Sequence, residues 1–247
     1  MAPKRKNSST TASKNQRARR TKSVSPPSVK AAPVPDGPIY FWRPQEVATG
    51  YLSQWYAQPF RDRADPTKIY ATAEHYMMHH KALLFGDAEI AAEILKATSP
   101  RSVKALGRKV RGFDGAVWAQ EREKIVTEGN WCKFSLPVVE NSEEAREEKK
   151  GGDDNDDSGL RTWRLGDGKA AQTIQTRSFR DVLLATGTRE LVEASPFDRI
   201  WGIGFAAKSA ESKRDKWGMN LLGKCLMSVR EQFRKAGAAK LEEAGCS

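Results

Sequence analysis

Thr72-Ala73-Glu74-His75-Tyr76-Met77-Met78-His79-His80-Lys81-Ala82-Leu83-Leu84-Phe85-Gly86-Asp87 is the stretch that decides the fold. Thr72 can cap a helix whose first turn holds Glu74, and Gly86 stops it after Leu84. Working outward, Asp87 begins a second helix through Ile90, Ile94 and Leu95 that ends before Pro100. Ser99 caps a third, with Pro100 at its first position and Val103, Leu106 and Val110 as its apolar residues. Asp114 caps a fourth, from Gly115 to about Thr127. Ser178 caps a helix that reaches Gly187, and Asn220 opens a last one through Leu221, Leu226 and Phe233, closed by Gly237. Ile39-Tyr40-Phe41, Lys68-Ile69-Tyr70 and Leu191-Val192-Glu193-Ala194 are short β-prone runs. The fold class expected is α+β, a predominantly helical single domain with a small β-sheet.

Two segments depart from that globular pattern. Residues 1–36 carry nine basic side chains against the single acid Asp36, a net +8 of the chain's +11, and have no aromatic residue before Tyr40. Such a segment buries too little apolar surface to offset its chain entropy, so a disordered basic tail is expected. Lys4-Arg5-Lys6 and Arg17-Ala18-Arg19-Arg20 stand ten residues apart, the spacing of a bipartite nuclear import signal read by an import receptor. A generic basic tail that binds nucleic acid weakly explains the same residues equally well. The second segment, Glu140 to Asp157, has nine acids against three bases and contains Gly151-Gly152. An acidic insert, disordered over 140–170, is expected there, leaving a domain over 37–237 and a flexible end at 238–247. No apolar run approaches the roughly 20 residues that span a bilayer, and the basic, polar first residues lack the apolar core of a secretory signal. Cys132, Cys225 and Cys246 fit neither a disulfide framework nor a metal knuckle. An intracellular monomer is expected, nuclear or cytoplasmic, with no membrane partner.

The residues that carry chemistry lie on the quoted helix. Glu74 and Lys81 are two turns apart and share a face, so a carboxylate and an amine can project into one concave site. Burial there moves both groups toward neutrality, as an acid/base and a nucleophile require. Spacing alone favours the plainer alternative, an exposed and weak ion pair. His75, His79 and His80 invite a metal, but no third ligand of matching type lies nearby, and no metal is expected. Between Asp198 and Gly204, Trp201 beside the glycines Gly202 and Gly204 offers a stacking face and close backbone approach to a phosphate or ribose. A core tryptophan beside a turn is the ordinary alternative. Asn220, at a helix start within Trp217-Gly218-Met219-Asn220-Leu221-Leu222-Gly223, places free N–H donors where an anion binds.

Taken in order, the pieces resemble the NADAR family, also called the YbiA-like family. They are Phe41, Thr72–Ala82, Phe85-Gly86-Asp87, Leu106-Gly107-Arg108, Trp118, Leu183–Gly187, Leu191–Pro196, Asp198–Gly204 and Asn220–Gly223. The sequence departs from the common pattern at His79-His80, in the acidic insert and in the basic tail. The resemblance implies an N-glycosidase acting at C1 of a phosphorylated ribose, without a cofactor. The substrate implied is guanine-linked ADP-ribose on nucleic acid or a ribosylamino intermediate of riboflavin synthesis. A non-catalytic ADP-ribose reader and a nucleic-acid-binding protein are the alternatives. Glu74 and Lys81 would be catalytic, Lys81 through a Schiff base with the opened ribose. Phe41, Arg108, Trp118, Asp198, Trp201, Gly202, Gly204, Asn220 and Gly223 would form the substrate site, with Arg108 a candidate cation beside Lys81.

Overall fold

The computed structural model describes residues 37–138, 161–165, 172–176 and 178–245. The basic tail and the body of the acidic insert lie outside the described residues. In chain order the elements are β1 (Ile39–Phe41), β2 (Phe60–Arg61), β3 (Ile69–Tyr70), α1 (Ala73–Leu84), α2 (Ala88–Lys96), α3 (Pro100–Gly107), α4 (Gly115–Ser135), β4 (Arg161–Leu165), β5 (Gln172–Thr176), α5 (Phe179–Leu184), β6 (Leu191–Glu193), α6 (Ala207–Ala210) and α7 (Leu221–Gly245). Short 3-10 turns stand at Gly50–Leu52 and Glu211–Lys216.

The capping residues act as their chemistry requires. Thr72 Oγ1 accepts the His75 N–H, Asp87 Oδ1 that of Ile90, Ser99 Oγ that of Ser102, and Asp114 Oδ1 those of Ala116 and Val117. Each occupies one or, for Asp114, two of the donors that the first turn of a helix leaves free. Several ends differ from expectation. The fourth helix runs to Ser135 instead of Thr127, and the last runs past Gly237 to Gly245 through the helix formers of Ala238-Ala239-Lys240-Leu241-Glu242-Glu243-Ala244. The segment 238–247 is therefore helical through Gly245. The segment 140–170 expected as a disordered insert contains a strand, because Arg161–Leu165 pair antiparallel with Gln172–Thr176.

Among the described residues the small sheet is three separate two-stranded ladders: β1 with β6, β2 with β3, and β4 with β5. The pairing that matters for the site is the first. It is parallel, with Ile39 opposite Leu191 and Phe41 opposite Glu193, and it ties the beginning of the domain to its last third. α1 is the central helix, packed against α2, α3 and α4. Ala82, Ala91, Ile94, Val103 and Val110 fill the space among the first three helices. Phe41, Met77, Val126, Phe134, Leu183, Leu191, Leu222 and Leu226 form the main core between α1, α4, β1, β6 and α7.

Within that core, Lys133 on α4 is fully buried and donates to the carbonyls of Tyr51 (2.7 Å) and Ser53 (3.0 Å). Burial pushes its amine down to about 7. Its neighbour on α4, Asn130, donates to Gln54 Oε1 at 3.0 Å, so the two polar residues hold the 51–55 loop against the helix. A base whose folded pKa lies below its unfolded one opposes folding in full below the folded value, and the opposition fades as pH rises toward the unfolded value. The stability difference between Lys133→Met and the wild type is therefore expected to favour the variant most below pH 7. It should shrink by up to about 1.4 kcal/mol per unit toward pH 9, as urea unfolding midpoints would measure. A pH-independent difference would show that Lys133 stays protonated in the folded protein across that range.

Candidate active site

Glu74 enters α1 one residue past its start, and its backbone N–H donates to the Gln54 carbonyl. Its side chain is buried, and the Trp55 side chain hydrogen-bonds to it. Burial pushes the carboxyl up to about 7, with Asp198 adding to the rise, while Lys104 on α3 and the Trp55 hydrogen bond pull the other way. Lys104 also lies 5.9 Å from the centre of the Trp55 ring. Its charge acts on a third acid, Glu193 on β6, which burial, Asp198 and Glu74 together push up to about 8. Glu74 and Glu193 thus feel each other's charge, and both feel the charges of Asp198 and Lys104.

Lys81, two turns along α1, is half-buried and donates to the Gly107 carbonyl at 2.8 Å. Its amine lies 4.1 Å from the centre of the Phe113 ring and 5.7 Å from that of half-buried Trp118. Burial lowers its pKa. Arg108 is exposed and is no part of that lowering, so the cation expected beside the amine is replaced by aromatic rings. Glu74 and Lys81 are not an ion pair. Seven residues of helix separate their backbones by about 10 Å, and the cation that acts on Glu74 is Lys104.

The loop from Asp198 is built around its own acid. Asp198 Oδ1 accepts the N–H groups of Ile200 and Trp201, both at 2.8 Å, which turns the chain and presents half-buried Trp201. Gly202 is buried, and a Cβ there would stand 2.7 Å from the Glu193 carbonyl. Gly204 has a φ of 77°, in the left-handed region. Asn220 is buried and brackets β6. Its Oδ1 accepts the Glu193 N–H at 3.0 Å and its Nδ2 donates to the Leu191 carbonyl at 2.9 Å. Gly223 allows this contact, since a Cβ would lie 2.1 Å from the Leu191 carbonyl oxygen.

The N–H donors expected to hold an anion at Asn220 are already taken. Those of Asn220, Leu221 and Leu222 donate to the carbonyls of Gly202, Ile200 and Trp201. Asn220 and Gly223 therefore shape the site from behind, by fixing β6. Phe41 does the same: it is 1% exposed in the core, opposite Glu193 in the ladder, and its carbonyl accepts the Ala194 N–H. Glu193 is the residue that sequence reasoning missed. It stood in the strand run without a partner, and two of the groups that act on it, Glu74 and Lys104, lie more than 80 residues upstream. The histidines are engaged elsewhere: His75 with Thr72 and the Ala97 carbonyl, His79 with Tyr70, His80 with Asp62. Among the described residues no group of three His, Cys, Asp or Glu side chains is arranged to hold a metal ion, and no helix is long and apolar enough to cross a membrane.

Comparison with known proteins places this geometry. A protein named N-glycosidase from Acanthamoeba polyphaga mimivirus is 37% identical over 185 residues, covering 73% of this chain and 86% of its own. Another of that name from Nostoc punctiforme is 30% identical over 165 residues, covering 67% and 75%. The solved structure of the E. coli protein YbiA shares the fold, with a TM-score of 0.54 at 23% identity over 83% of this chain and 89% of that one. The NADAR domain model matches residues 40–234, which hold Glu74, Lys81, Glu193, Asp198 and Asn220 alike. With the match running over nearly all of the folded chain, this protein belongs to the NADAR family.

Proposed function

We propose that this chain is an N-glycosidase that cleaves the bond between ribose C1 and a base, releasing ADP-ribose from guanine in nucleic acid. The observation that carries the reading is the single face of α1, which offers a carboxyl raised to about 7 at one end and an amine lowered by burial at the other. In this mechanism the C1–N bond breaks with its electron pair leaving on the base, and the Lys81 lone pair forms a bond to C1. Ring opening gives an imine, and water then hydrolyses it and frees the amine. Glu74 accepts and returns the protons these steps move. Trp118 and Trp201 offer faces to the base and sugar. The names of the mimivirus and Nostoc relatives support the reaction class.

Incubation with an ADP-ribosylated guanosine oligonucleotide beside a ribosylamino-pyrimidine phosphate, with released base read by mass spectrometry, separates the two substrate classes. Binding of ADP-ribose without release of base from either would make the protein a reader. The basic segment 1–36 favours the nucleic acid, because its net +8 adds counterion-release affinity that a small metabolite does not use. Deleting residues 1–36 is expected to abolish salt-sensitive oligonucleotide binding and to leave the turnover of a mononucleotide-sized substrate unchanged. Loss of both would place the tail in the chemistry itself. The same segment, through residues 4–20, is proposed to engage a nuclear import receptor, and a nuclear or cytoplasmic setting follows.

A further inference from the structure

Glu193 is a charge-bearing side chain with no explanation in the reaction as written so far. Its carboxylate oxygen Oε2 is buried and has no hydrogen-bond partner. Buried polar atoms are almost always satisfied, so an exception calls for an explanation, and a catalytic role or a bound ligand is one. The backbone around it is held on every side. Asn220 fixes the Glu193 N–H, Phe41 lies opposite it in the ladder, and Gly202 stands where a side chain would strike its carbonyl. A rigid backbone carrying an unsatisfied carboxyl into a group with Glu74, Asp198 and Lys104 is the arrangement of a residue aimed at a ligand.

We propose that Glu193 is a second catalytic carboxyl group, the acid that hands its proton to the departing base while Glu74 serves as the base. This rests on the N-glycosidase reading. The division of labour follows from the partners of the two acids. Glu74 accepts a hydrogen bond from Trp55, which favours its ionised form, whereas Glu193 Oε2 has no donor to stabilise a negative charge. Two neighbouring carboxyls in unlike surroundings take unlike protonation states, and the one without donors keeps the proton. The charges facing Glu193 are Glu74 from α1, Asp198 from the following loop and Lys104 from α3, two acids against one base. Their sum and the burial both favour the neutral acid at pH 7.

The step balances simply. As C1–N breaks, the electron pair goes to the base nitrogen, the Glu193 O–H proton moves to that pair, and Glu193 is left as a carboxylate. Lys81 or water supplies the new bond at C1. Hydrolysis later returns a proton to Glu193.

Two measurements test this. In infrared difference spectra with isotope-labelled glutamate, the protonated carboxyl band present at pH 7 is expected to weaken in Glu193→Gln. In Glu74→Gln the band assigned to Glu193 should titrate at lower pH, since one repelling charge has gone. In kinetics, Glu193→Gln should slow release of guanine by about 100-fold or more. It should change release of nicotinamide from a pyridinium-linked ADP-ribose by only a few-fold, because that group leaves neutral and needs no proton. A Glu193 that is ionised at pH 7, or equal losses with both leaving groups, would overturn the assignment. A wild-type protein that releases neither base would instead sink the N-glycosidase reading and the transfer step with it, whatever the infrared band shows.

Discussion

Replacing Lys81 with alanine is expected to lower base release by about 100-fold or more in a protein that remains folded. The amine sits at the rim of α1, half-buried, with one carbonyl partner and two aromatic rings, so removing it leaves no buried charge behind. If the amine forms an imine with the opened ribose, borohydride should reduce that imine to a stable mass adduct on the peptide around Tyr76–Lys81. Lys81→Arg should form no adduct, since a guanidinium stays protonated and cannot attack. A protein that turns over substrate at the normal rate yet yields no adduct would point to direct attack by water. Glu74 would then be the general base and Lys81 a ligand for a phosphate or hydroxyl.

Glu74→Gln should separate activity from stability. The variant keeps the size and the backbone bond to Gln54 but can no longer move a proton, and a loss of about 100-fold or more is expected. Stability should move the other way. An acid whose folded pKa is raised from its ordinary value to about 7 contributes least to folding once it is ionised. The handicap is absent below about pH 4.5, grows as pH rises to 7, and is complete above it. Glutamine escapes it, so the variant should gain on the wild type by on the order of 3 kcal/mol between pH 4.5 and 8, less what the Trp55 hydrogen bond loses. Urea titrations of both proteins across that range measure it. A variant that is both inactive and uniformly less stable would mean that Glu74 is a structural residue.

The parts of the fold that local chemistry controls were legible. Thr72, Asp87, Ser99 and Asp114 each cap the helix expected of them, because a side-chain oxygen reaching a backbone N–H two or three residues on needs nothing distant. The same reasoning failed where polar residues find distant partners. The fourth helix, expected to end near Thr127, continues inside the core because Gln54 and the carbonyls of Tyr51 and Ser53 satisfy its polar residues Asn130 and Lys133. The hairpin of Arg161–Leu165 with Gln172–Thr176 was concealed by the acidic composition before it. In the site, Glu74 and Lys81 were legible as a shared face, but their lack of contact was not. That depends on Lys104 and Gly107 of α3, which claim one group each. Asn220 looked like an anion site because a sequence does not show that the loop carbonyls of Ile200, Trp201 and Gly202 already occupy its donors.

The bracket that Asn220 places on β6 has a consequence for the order of events during synthesis. Glu74 and Lys81 leave the ribosome early, on a helix that caps itself. The strand that carries Glu193 can dock only against Phe41, some 150 residues behind it, and Asn220 locks it from still later in the chain. Closing so long a loop is slow, while lengthening it is inexpensive: each doubling costs about 0.6 kcal/mol. An interrupted translation product therefore carries Glu74 and Lys81 without the docked strand that holds Glu193. If Glu193 acts as proposed, full activity begins only when the chain is nearly whole, and a change in the length of the acidic insert between the two halves does not move that moment.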